Sequence, residues 1–416
     1  MLPREIIERI LIKCDGRSLL NARKVDENWK DIVDYLTDRT RIWEWCCKEE
    51  IPANELIDYL QQHEENEFQK WLNIYINWYS WQTPSRMFCD TIPVPLEMPM
   101  PTLTSIAVSR NFIAVGSRDG RISIFTAKWK KILVERILAV RINSLTFLES
   151  THTSVAVNIT ILVHYEYGLY IFFFDGFTTS STTFHDVVSY SVYKNYICYE
   201  KVGGRMTIAK LVNNGGKIEF EEIWFSRIYS PSNLSCMKMW EGVCTFLINN
   251  EVKIYEYGNS AKPVDMMKKK TKITFINPLN TLKPSLYILR NDIIVRINCS
   301  RMELNDSDDL IEFFLLSKDG QCSKKVFSPW QIFYCFITCI YLYGNTLVLG
   351  TDTGIIYIYN VSHWKNLDLR KYDYKFILGQ HPIIGVNVKE TKQERRFYVL
   401  SPFAIHEVYG YLPNVY

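Results

Sequence analysis

A strand–turn–strand sequence pattern occurs twice in the chain, once early and once late. Residues 111–125 read NFIAVGSRDGRISIF, two runs of alternating β-formers hinged on Asp119 and Gly120. Residues 344–360 repeat the design, with Gly354 in the position of the turn glycine. An Asp-Gly dipeptide between two such runs is a strong short-range signal for a β-hairpin. The same hairpin used twice, far apart in the chain, indicates an architecture built from repeats.

Similar segments occur between and beyond these two patterns, at a period of about 40 to 45 residues. There are about seven candidate units, at Leu103 to Ile137, Ile142 to His185, Val187 to Phe225, Leu234 to Lys268, Ile273 to Val326, Cys335 to Leu378 and Ile383 to Gly410. The pattern resembles the blades of WD-repeat proteins, which implies an all-β propeller over residues 84–416. The chain has no Trp-Asp dipeptide and no Gly-His blade opening, so the blades are divergent.

The last unit has only three clear strands, at Ile383 to Val388, Arg396 to Leu400 and Ala404 to Val408. We expect a strand around Met87 to Val94 to supply the fourth and close the ring. Closure of this kind leaves only short, protected sheet edges. The prolines between positions 84 and 101 cannot continue a helix, and they mark the start of the propeller.

The opening stretch has apolar residues at helical spacing instead. Pro3 suits the first turn of a helix that carries Ile6 and Ile10 on one face. Asp26 is placed to cap a later helix, in which Trp29 begins an apolar stripe. Further helical patterns follow between residues 53 and 81. Helices this short are not stable alone, so they must bury their apolar faces against something else.

This stretch resembles an F-box, the adaptor-docking motif of substrate receptors in cullin-RING ubiquitin ligases. Leu-Pro-x-Glu-Ile, a Leu-Leu pair, Val-x-x-x-Trp and a late Ile-Trp occur in that order, although Asp26 stands where such motifs commonly carry Cys or Ser. The resemblance implies an F-box over residues 1–48 and a helical linker over 49–83, which together form a small all-α domain. It implies that the adaptor surface is lined or supported by Leu2, Pro3, Ile6, Ile10, Leu11, Leu19, Leu20, Val25, Trp29 and Trp43. The alternative is an ordinary helical bundle that uses these residues as its own core.

Composition narrows the classes of partner and location. A formal net charge of +3 over 416 residues offers no electrostatic argument for binding nucleic acid. The longest apolar run, 332–343, is too short to span a bilayer, and the N-terminus lacks the pattern of a secretory signal. The 11 cysteines are scattered without a Cys-x-x-Cys pair, so reduced thiols are expected. These features predict a cytoplasmic or nuclear protein with no membrane partner.

Catalytic and metal-binding patterns do not occur in the sequence. The seven histidines have no paired metal-ligand spacing, and Asp306, Asp308 and Asp309 lack the glycine and glutamate of a calcium loop. No nucleophile elbow, phosphate-binding loop or zinc-protease helix is present. We therefore predict a non-catalytic protein without cofactor or metal.

These patterns together favour a substrate-recognition subunit of an SCF-type E3 ubiquitin ligase. Its partners would be the adaptor subunit, a cullin reached through that adaptor, and a target protein bound by the propeller. Receptors of this kind often hold phosphorylated segments through arginines, for which the candidates are Arg118, Arg205, Arg290 and Arg301. Two alternatives remain open: a propeller scaffold outside any ligase, and a propeller enzyme with its groups at the central channel.

Overall fold

The structure, a computed structural model of the chain, describes most of its length. The described residues are 3–62, 67–82, 87–90, 102–109, 111–137, 139–152, 157–166, 168–214, 217–227, 234–240, 242–248, 251–257, 267–272, 285–298, 310–317, 321–391 and 394–411.

Among the described residues, six helices precede the first strand, as the helical spacing of the opening stretch predicts. They are α1 (Arg4–Leu11), α2 (Gly16–Ala22), α3 (Glu27–Arg39), α4 (Ile42–Glu50), α5 (Ala53–Gln62) and α6 (Glu67–Ser80). A short helix α7 (Pro329–Phe333) and a 3₁₀ turn (Trp364–Asn366) occur later, in connections between strands. The predicted cap is confirmed, because the carboxylate of Asp26 accepts the backbone N–H of Trp29 at 2.9 Å. The carboxylate of Asp15 caps α2 in the same way and accepts the backbone N–H of Ser18 at 2.7 Å.

The strands form seven four-stranded antiparallel sheets in the part of the chain that is described. Blade 1 contains β2 (Leu103–Val108), β3 (Phe112–Ser117), β4 (Arg121–Thr126) and β5 (Lys131–Arg136). Blade 2 contains β6 (Ser144–His152), β7 (Val157–Tyr165), β8 (Gly168–Phe174) and β9 (Thr179–His185). Blade 3 contains β10 (Val187–Tyr193), β11 (Tyr196–Lys201), β12 (Arg205–Asn214) and β13 (Lys217–Arg227). Blade 4 contains β14 (Leu234–Trp240), β15 (Val243–Ile248), β16 (Glu251–Glu256) and β17 (Met267–Lys272).

The last three blades follow the same plan. Blade 5 contains β18 (Ser285–Arg290), β19 (Ile293–Asn298), β20 (Leu310–Leu316) and β21 (Cys322–Phe327). Blade 6 contains β22 (Ile337–Tyr343), β23 (Thr346–Thr351), β24 (Ile355–Asn360) and β25 (Tyr374–Ile377). Blade 7 contains β26 (Gly385–Glu390), β27 (Glu394–Leu400), β28 (Ile405–Tyr411) and, from before blade 1, β1 (Met87–Asp90).

The ring closes as predicted, through a strand that precedes the first blade. β1 pairs antiparallel with β28, with Met87 opposite Gly410 and Asp90 opposite Glu407. The first strand of each sheet lies innermost and contacts the first strand of the next blade, including β26 against β2. Blades 2 and 3 are joined by hydrogen bonds between the hydroxyl of Tyr190 and the hydroxyls of Ser144 and Thr146. The protein is therefore a seven-bladed β-propeller preceded by a helical region.

The predicted hairpin glycines lie where the backbone needs them. Gly120 and Gly354 adopt positive φ angles of 81° and 76°, a conformation that glycine enters without steric cost. At Gly354 a Cβ atom would lie 2.6 Å from the carbonyl oxygen of Gly379. The seven predicted units correspond to the seven sheets, but the predicted end of the fourth unit, Lys268, lies near the start of β17. Residues 273–284, at the predicted start of the fifth unit, lie outside the described part.

The propeller has two faces that follow from its strand order. Strands in each sheet alternate in direction, so the first–second and third–fourth turns lie at one face. The second–third turns and the connections between blades lie at the other. The helical region packs on blades 5 to 7 at the first face, which we call the helix-bearing face, and the second is the opposite face.

Candidate functional site

Much of the apolar surface of α1 to α4 is turned inward. Leu11, Leu19, Leu20 and Trp43 are buried in a hydrophobic cluster shared with α3, α5 and α6. The Trp43 indole Nε1 donates to Thr37 Oγ1 at 2.8 Å, which satisfies a donor that burial would otherwise leave unpaired. These four predicted residues belong to the helical core and could support a binding surface only from beneath.

Glu50 joins three helices within that core. One carboxylate oxygen accepts from the backbone N–H of Gly16 at 2.7 Å, and the other accepts from the Tyr75 hydroxyl at 2.5 Å. Position 16 needs glycine, because a Cβ atom there would lie 2.3 Å from Tyr75 Cζ. Burial and the bond to Glu50 both raise the pKa of Tyr75, so its hydroxyl remains a donor at neutral pH.

Other predicted residues lie on the outer side of the helices. Pro3 is exposed at the start of α1, and Ile6 and Ile10 stand one turn apart on it, 41% and 46% exposed. Val25, in the turn before α3, is 63% exposed. Trp29 is half-buried and packs against the helical core. Apolar side chains outside a core that is already filled are available to a partner.

The sequence pattern missed two further exposed apolar residues, Ile12 and Trp45, which lie next to α1 and on α4. The helical spacing of Trp45 is out of phase with the buried residues Trp43, Cys46 and Cys47, and that phase could have identified it. Leu2 lies outside the described residues.

Arg395 is the centre of the contact between the helices and the propeller. Its fully buried guanidinium pairs with Glu390 at 2.8 Å and donates to Thr346 Oγ1 at 2.8 Å. It also donates to the Tyr59 hydroxyl of α5 at 3.2 Å and lies 4.2 Å from the ring centroid of Trp81, just after α6. These five residues, the docking cluster, connect blades 6 and 7 to both helices of the predicted linker.

The electrostatics of the docking cluster keep Arg395 charged. Burial alone would lower the pKa of its guanidinium, but the Glu390 carboxylate and the oxygens of Tyr59 and Tyr343 raise it above the usual range. Burial raises the pKa of both tyrosines, so their hydroxyls stay protonated. Tyr343 donates to the second oxygen of Glu390 at 2.5 Å. The buried cation and anion are thus both hydrogen-bonded, as a dry ion pair requires.

Contacts around the docking cluster hold the helical region in one orientation. The side-chain amide of Asn360 donates to the carbonyl oxygen of Trp81 at 2.9 Å. Gly344, at the β22–β23 turn, has a positive φ of 56°, and a Cβ atom there would lie 2.6 Å from the Tyr59 hydroxyl. Buried Arg290 of blade 5 lies 3.9 Å from Glu55 of α5.

Of the four arginines predicted to hold a phosphorylated target, the three that the structure describes lie on three different blades. Arg290 is a wrong prediction, because it is buried on the helix-bearing face, where Asp292 binds it at 2.7 Å. Arg205 lies on the opposite face but is paired with Glu222 at 2.7 Å. Arg118 is exposed on that face, in the β3–β4 turn, and Arg301 lies outside the described residues.

The opposite face has a sector over blades 6 and 7 that is almost free of charge. Segments 327–336, 377–384 and 401–404 contain no Asp, Glu, Lys or Arg, and we call them the uncharged sector. Tyr334 and Ile377 are 76% and 74% exposed there, and the ring of exposed Phe403 contacts His381 at 4.8 Å. Tyr334 is also held in the left-handed region at φ 57°, a conformation that costs energy in a residue other than glycine.

Within the described ranges, no cluster of three or more His, Cys, Asp or Glu residues could hold a metal ion. No helix in that part of the chain is both long and apolar enough to cross a membrane.

Comparison with known proteins finds similarity in structure alone. No family model and no curated protein matches the chain. The WD40 domain of Pan2 from Neurospora crassa is 16% identical, with 80% of this chain and 97% of that one covered and a TM-score of 0.49. Sqt1 from Saccharomyces cerevisiae is 10% identical, with 80% and 100% covered and a TM-score of 0.46. BamB from Moraxella catarrhalis is 12% identical, with 74% and 84% covered and a TM-score of 0.43. At these values the similarity carries no functional argument, and the propeller assignment rests on the sheet topology.

Proposed function

We propose that this protein is the substrate-recognition subunit of an SCF-type E3 ubiquitin ligase. The observation that carries the proposal is the set of exposed apolar residues Ile6, Ile10 and Val25, in a helical region whose own core is already filled. Their positions match the adaptor-facing part of the F-box pattern. The partners would be the adaptor subunit and, through it, a cullin, in the cytoplasm, the nucleus or both.

A receptor of this kind positions the target protein and does not itself catalyse the reaction. It raises the effective concentration of the target's lysines near a catalytic subunit held elsewhere in the complex. That effect depends on a fixed angle between the adaptor-binding helices and the target-binding face. The docking cluster around Arg395 supports this requirement, because it couples α5 and the end of α6 to blades 6 and 7.

The uncharged sector favours an apolar segment of the target over a phosphorylated one. A phosphate dianion placed against Tyr334, Ile377 and Phe403 would lose its hydration without gaining a cation, which is costly. Apolar side chains placed there would instead remove exposed apolar surface from water. We therefore propose an unmodified apolar segment as the feature that the propeller recognises.

The adaptor contact is tested with Ile10→Glu and Val25→Glu, introduced singly and together. Each places a charge where an apolar interface would form, and an unpaired charge in a dry interface costs on the order of several kcal/mol. Val202→Glu is the matched control, since Val202 is similarly exposed but lies on blade 3. Affinity purification from cell extract, followed by mass spectrometry, should recover adaptor and cullin with the unsubstituted chain and the control and lose both with the variants.

The same experiment decides between the ligase receptor and the propeller scaffold outside a ligase. If the unsubstituted chain recovers other partners but neither adaptor nor cullin, the scaffold function replaces the one proposed. Thermal unfolding of each variant must match that of the unsubstituted chain, because a lost interaction counts only when the fold is intact.

A further inference from the structure

The outer edge of blade 2 differs from the outer edges of the other blades. Its last strand, β9, reads TSSTTFH and contains no Lys, Arg, Asp or Glu. The other outer strands, β1, β5, β13, β17, β21 and β25, each contain at least one charged residue. Charged side chains on an edge strand, lysine above all, prevent it from pairing with another chain. β9 has no such protection.

The side chains of β9 are also open to solvent. Thr179, Ser180, Ser181, Thr183 and His185 are exposed. The strand pairs with β8 on one side, and its other side carries no strand in the described part of the chain. Among the described residues, these seven residues of extended backbone therefore form an edge without a neighbouring strand.

The pairing of β9 with β8 determines which backbone groups face outward. The N–H of Asp175 donates to the carbonyl of Thr178, so these two residues form a hydrogen-bonded pair at the turn. Hydrogen-bonded and non-hydrogen-bonded pairs alternate along an antiparallel ladder. Thr179, Ser181, Thr183 and His185 consequently direct their N–H and C=O groups away from β8.

We propose that β9 is a self-association surface, on which a second copy of this chain adds its own β9 antiparallel. With Thr182 on the two-fold axis, Ser181 lies opposite Thr183 of the second copy, and Thr179 lies opposite its His185. The outward-facing residues of both copies then meet as hydrogen-bonded pairs. Thr–Thr and Ser–Thr neighbours stabilise such a ladder, whereas like charges directly opposite would destabilise it. Because β9 contains no Lys, Arg, Asp or Glu, it meets its own copy without repulsion between such charges.

The position of β9 leaves the helical region accessible in the dimer. Blade 2 lies across the ring from blades 5 and 6, and the helices pack on blades 5 to 7. The two helical regions would therefore lie at the far ends of an elongated dimer. The inference does not depend on the ligase role, and either outcome of the adaptor experiment leaves it standing.

The first test measures the mass of the full chain by sedimentation equilibrium. We expect two chains of 49.0 kDa each to associate at concentrations up to about 100 µM, where a complex with a micromolar Kd is mostly dimeric. Ser181→Lys/Thr183→Lys should be monomeric with unchanged thermal unfolding, because it places lysine opposite lysine twice across the pair. Ser323→Lys, at an exposed serine on the outer strand of blade 5, should remain dimeric.

The second test fixes the register. Thr182→Cys should form a disulfide-linked dimer under mild oxidation, because Thr182 faces its own copy in a non-hydrogen-bonded pair, where the Cα separation suits a disulfide. The unsubstituted chain, with its exposed Cys322, provides the background. The inference is overturned by a monomeric unsubstituted chain, by a double-lysine variant that still dimerises, by a control that dissociates, or by a Thr182→Cys dimer that does not cross-link above background.

Discussion

Two adjacent arginines on β27 serve opposite sides of blade 7. Successive side chains of a strand point to opposite faces of the sheet, so Arg395 enters the docking cluster while Arg396 points toward blade 1. There Arg396 binds Glu407 at 2.7 Å and Glu394 at 2.6 Å. The other oxygen of Glu407 accepts from the indole Nε1 of Trp129, in the β4–β5 turn, at 2.6 Å. We call Trp129, Glu394, Arg396 and Glu407 the closure seam.

The docking cluster and the closure seam each contain an arginine–glutamate ion pair, and the two pairs differ in exposure to solvent. Arg395 and Glu390 have no exposed side-chain surface, whereas the side chain of Arg396 is 27% exposed. Water can reach Arg396 at the closure seam, although Glu407 is buried there, but it has no access to Arg395 or Glu390 in the docking cluster. Removing a partner of the arginine should therefore reduce the free energy of unfolding more at the docking cluster than at the closure seam.

The largest expected effect is that of Arg395→Met. The substitution leaves the Glu390 carboxylate buried without its cation, which costs about 3–5 kcal/mol. We expect calorimetry to show a new transition at lower temperature, as the helical region loosens from the propeller. Glu390→Gln combined with Arg395→Met should recover part of the loss, since it removes the uncompensated charge. Unchanged unfolding of the single variant would contradict the role given to the docking cluster.

A smaller effect is expected at the closure seam from Trp129→Phe. Phenylalanine keeps a ring against Phe125 and Tyr398 but removes the indole donor to Glu407. The loss of one hydrogen bond to a charged group corresponds to about 1.5–3 kcal/mol, and the aromatic packing is retained. Denaturant unfolding measures the change. A loss equal to that of Arg395→Met would remove the contrast between the two sites.

The smallest effect is a pH dependence in Glu407→Gln. Burial raises the pKa of Glu407 above its usual value, against the opposing effects of Arg396 and Trp129. Because the pKa of this carboxyl is raised in the folded protein, its contribution to the free energy of unfolding decreases as pH rises through that pKa. Glutamine cannot ionise, so the melting temperature of the variant relative to the unsubstituted chain should increase from pH 4 to pH 7. A difference that stays constant or decreases over this range would show that the carboxylate is favoured in the folded protein.

Local signals in the sequence were sufficient for much of the fold. Asp119–Gly120 and its later counterpart at Gly354 predicted hairpins because a turn with positive φ has few chemical solutions. The three-stranded last unit indicated that β1 completes blade 7, because an open ring would leave a long sheet edge unpaired. Asp26 predicted the start of α3, because a cap is an interaction between near neighbours in sequence. Each of these features is decided within a few residues or by a repeat.

The candidate site depended on information that the helical pattern does not contain. An apolar stripe indicates that a helix face avoids water, but not whether the chain itself or a partner covers it. Leu11, Leu19, Leu20 and Trp43 are covered by the chain, and Ile6, Ile10 and Val25 are not, although all seven follow the same motif. The prediction for Arg290 was wrong for a similar reason, since the sequence does not say which face of the propeller an arginine occupies or what buries it.

The sequence by itself determined the repeat, the turns and the closing strand, because each depends on local backbone geometry or on counting strands. The tertiary structure alone decided that Arg395, which follows an ordinary strand pattern, is the buried point where the helices attach. Its hydrogen bond to Tyr59 joins residues 336 positions apart. A contact of that separation exists only after blades 6 and 7 and helix α5 have packed together, and no local propensity encodes it. The same packing determines which apolar helix residues remain exposed for a partner.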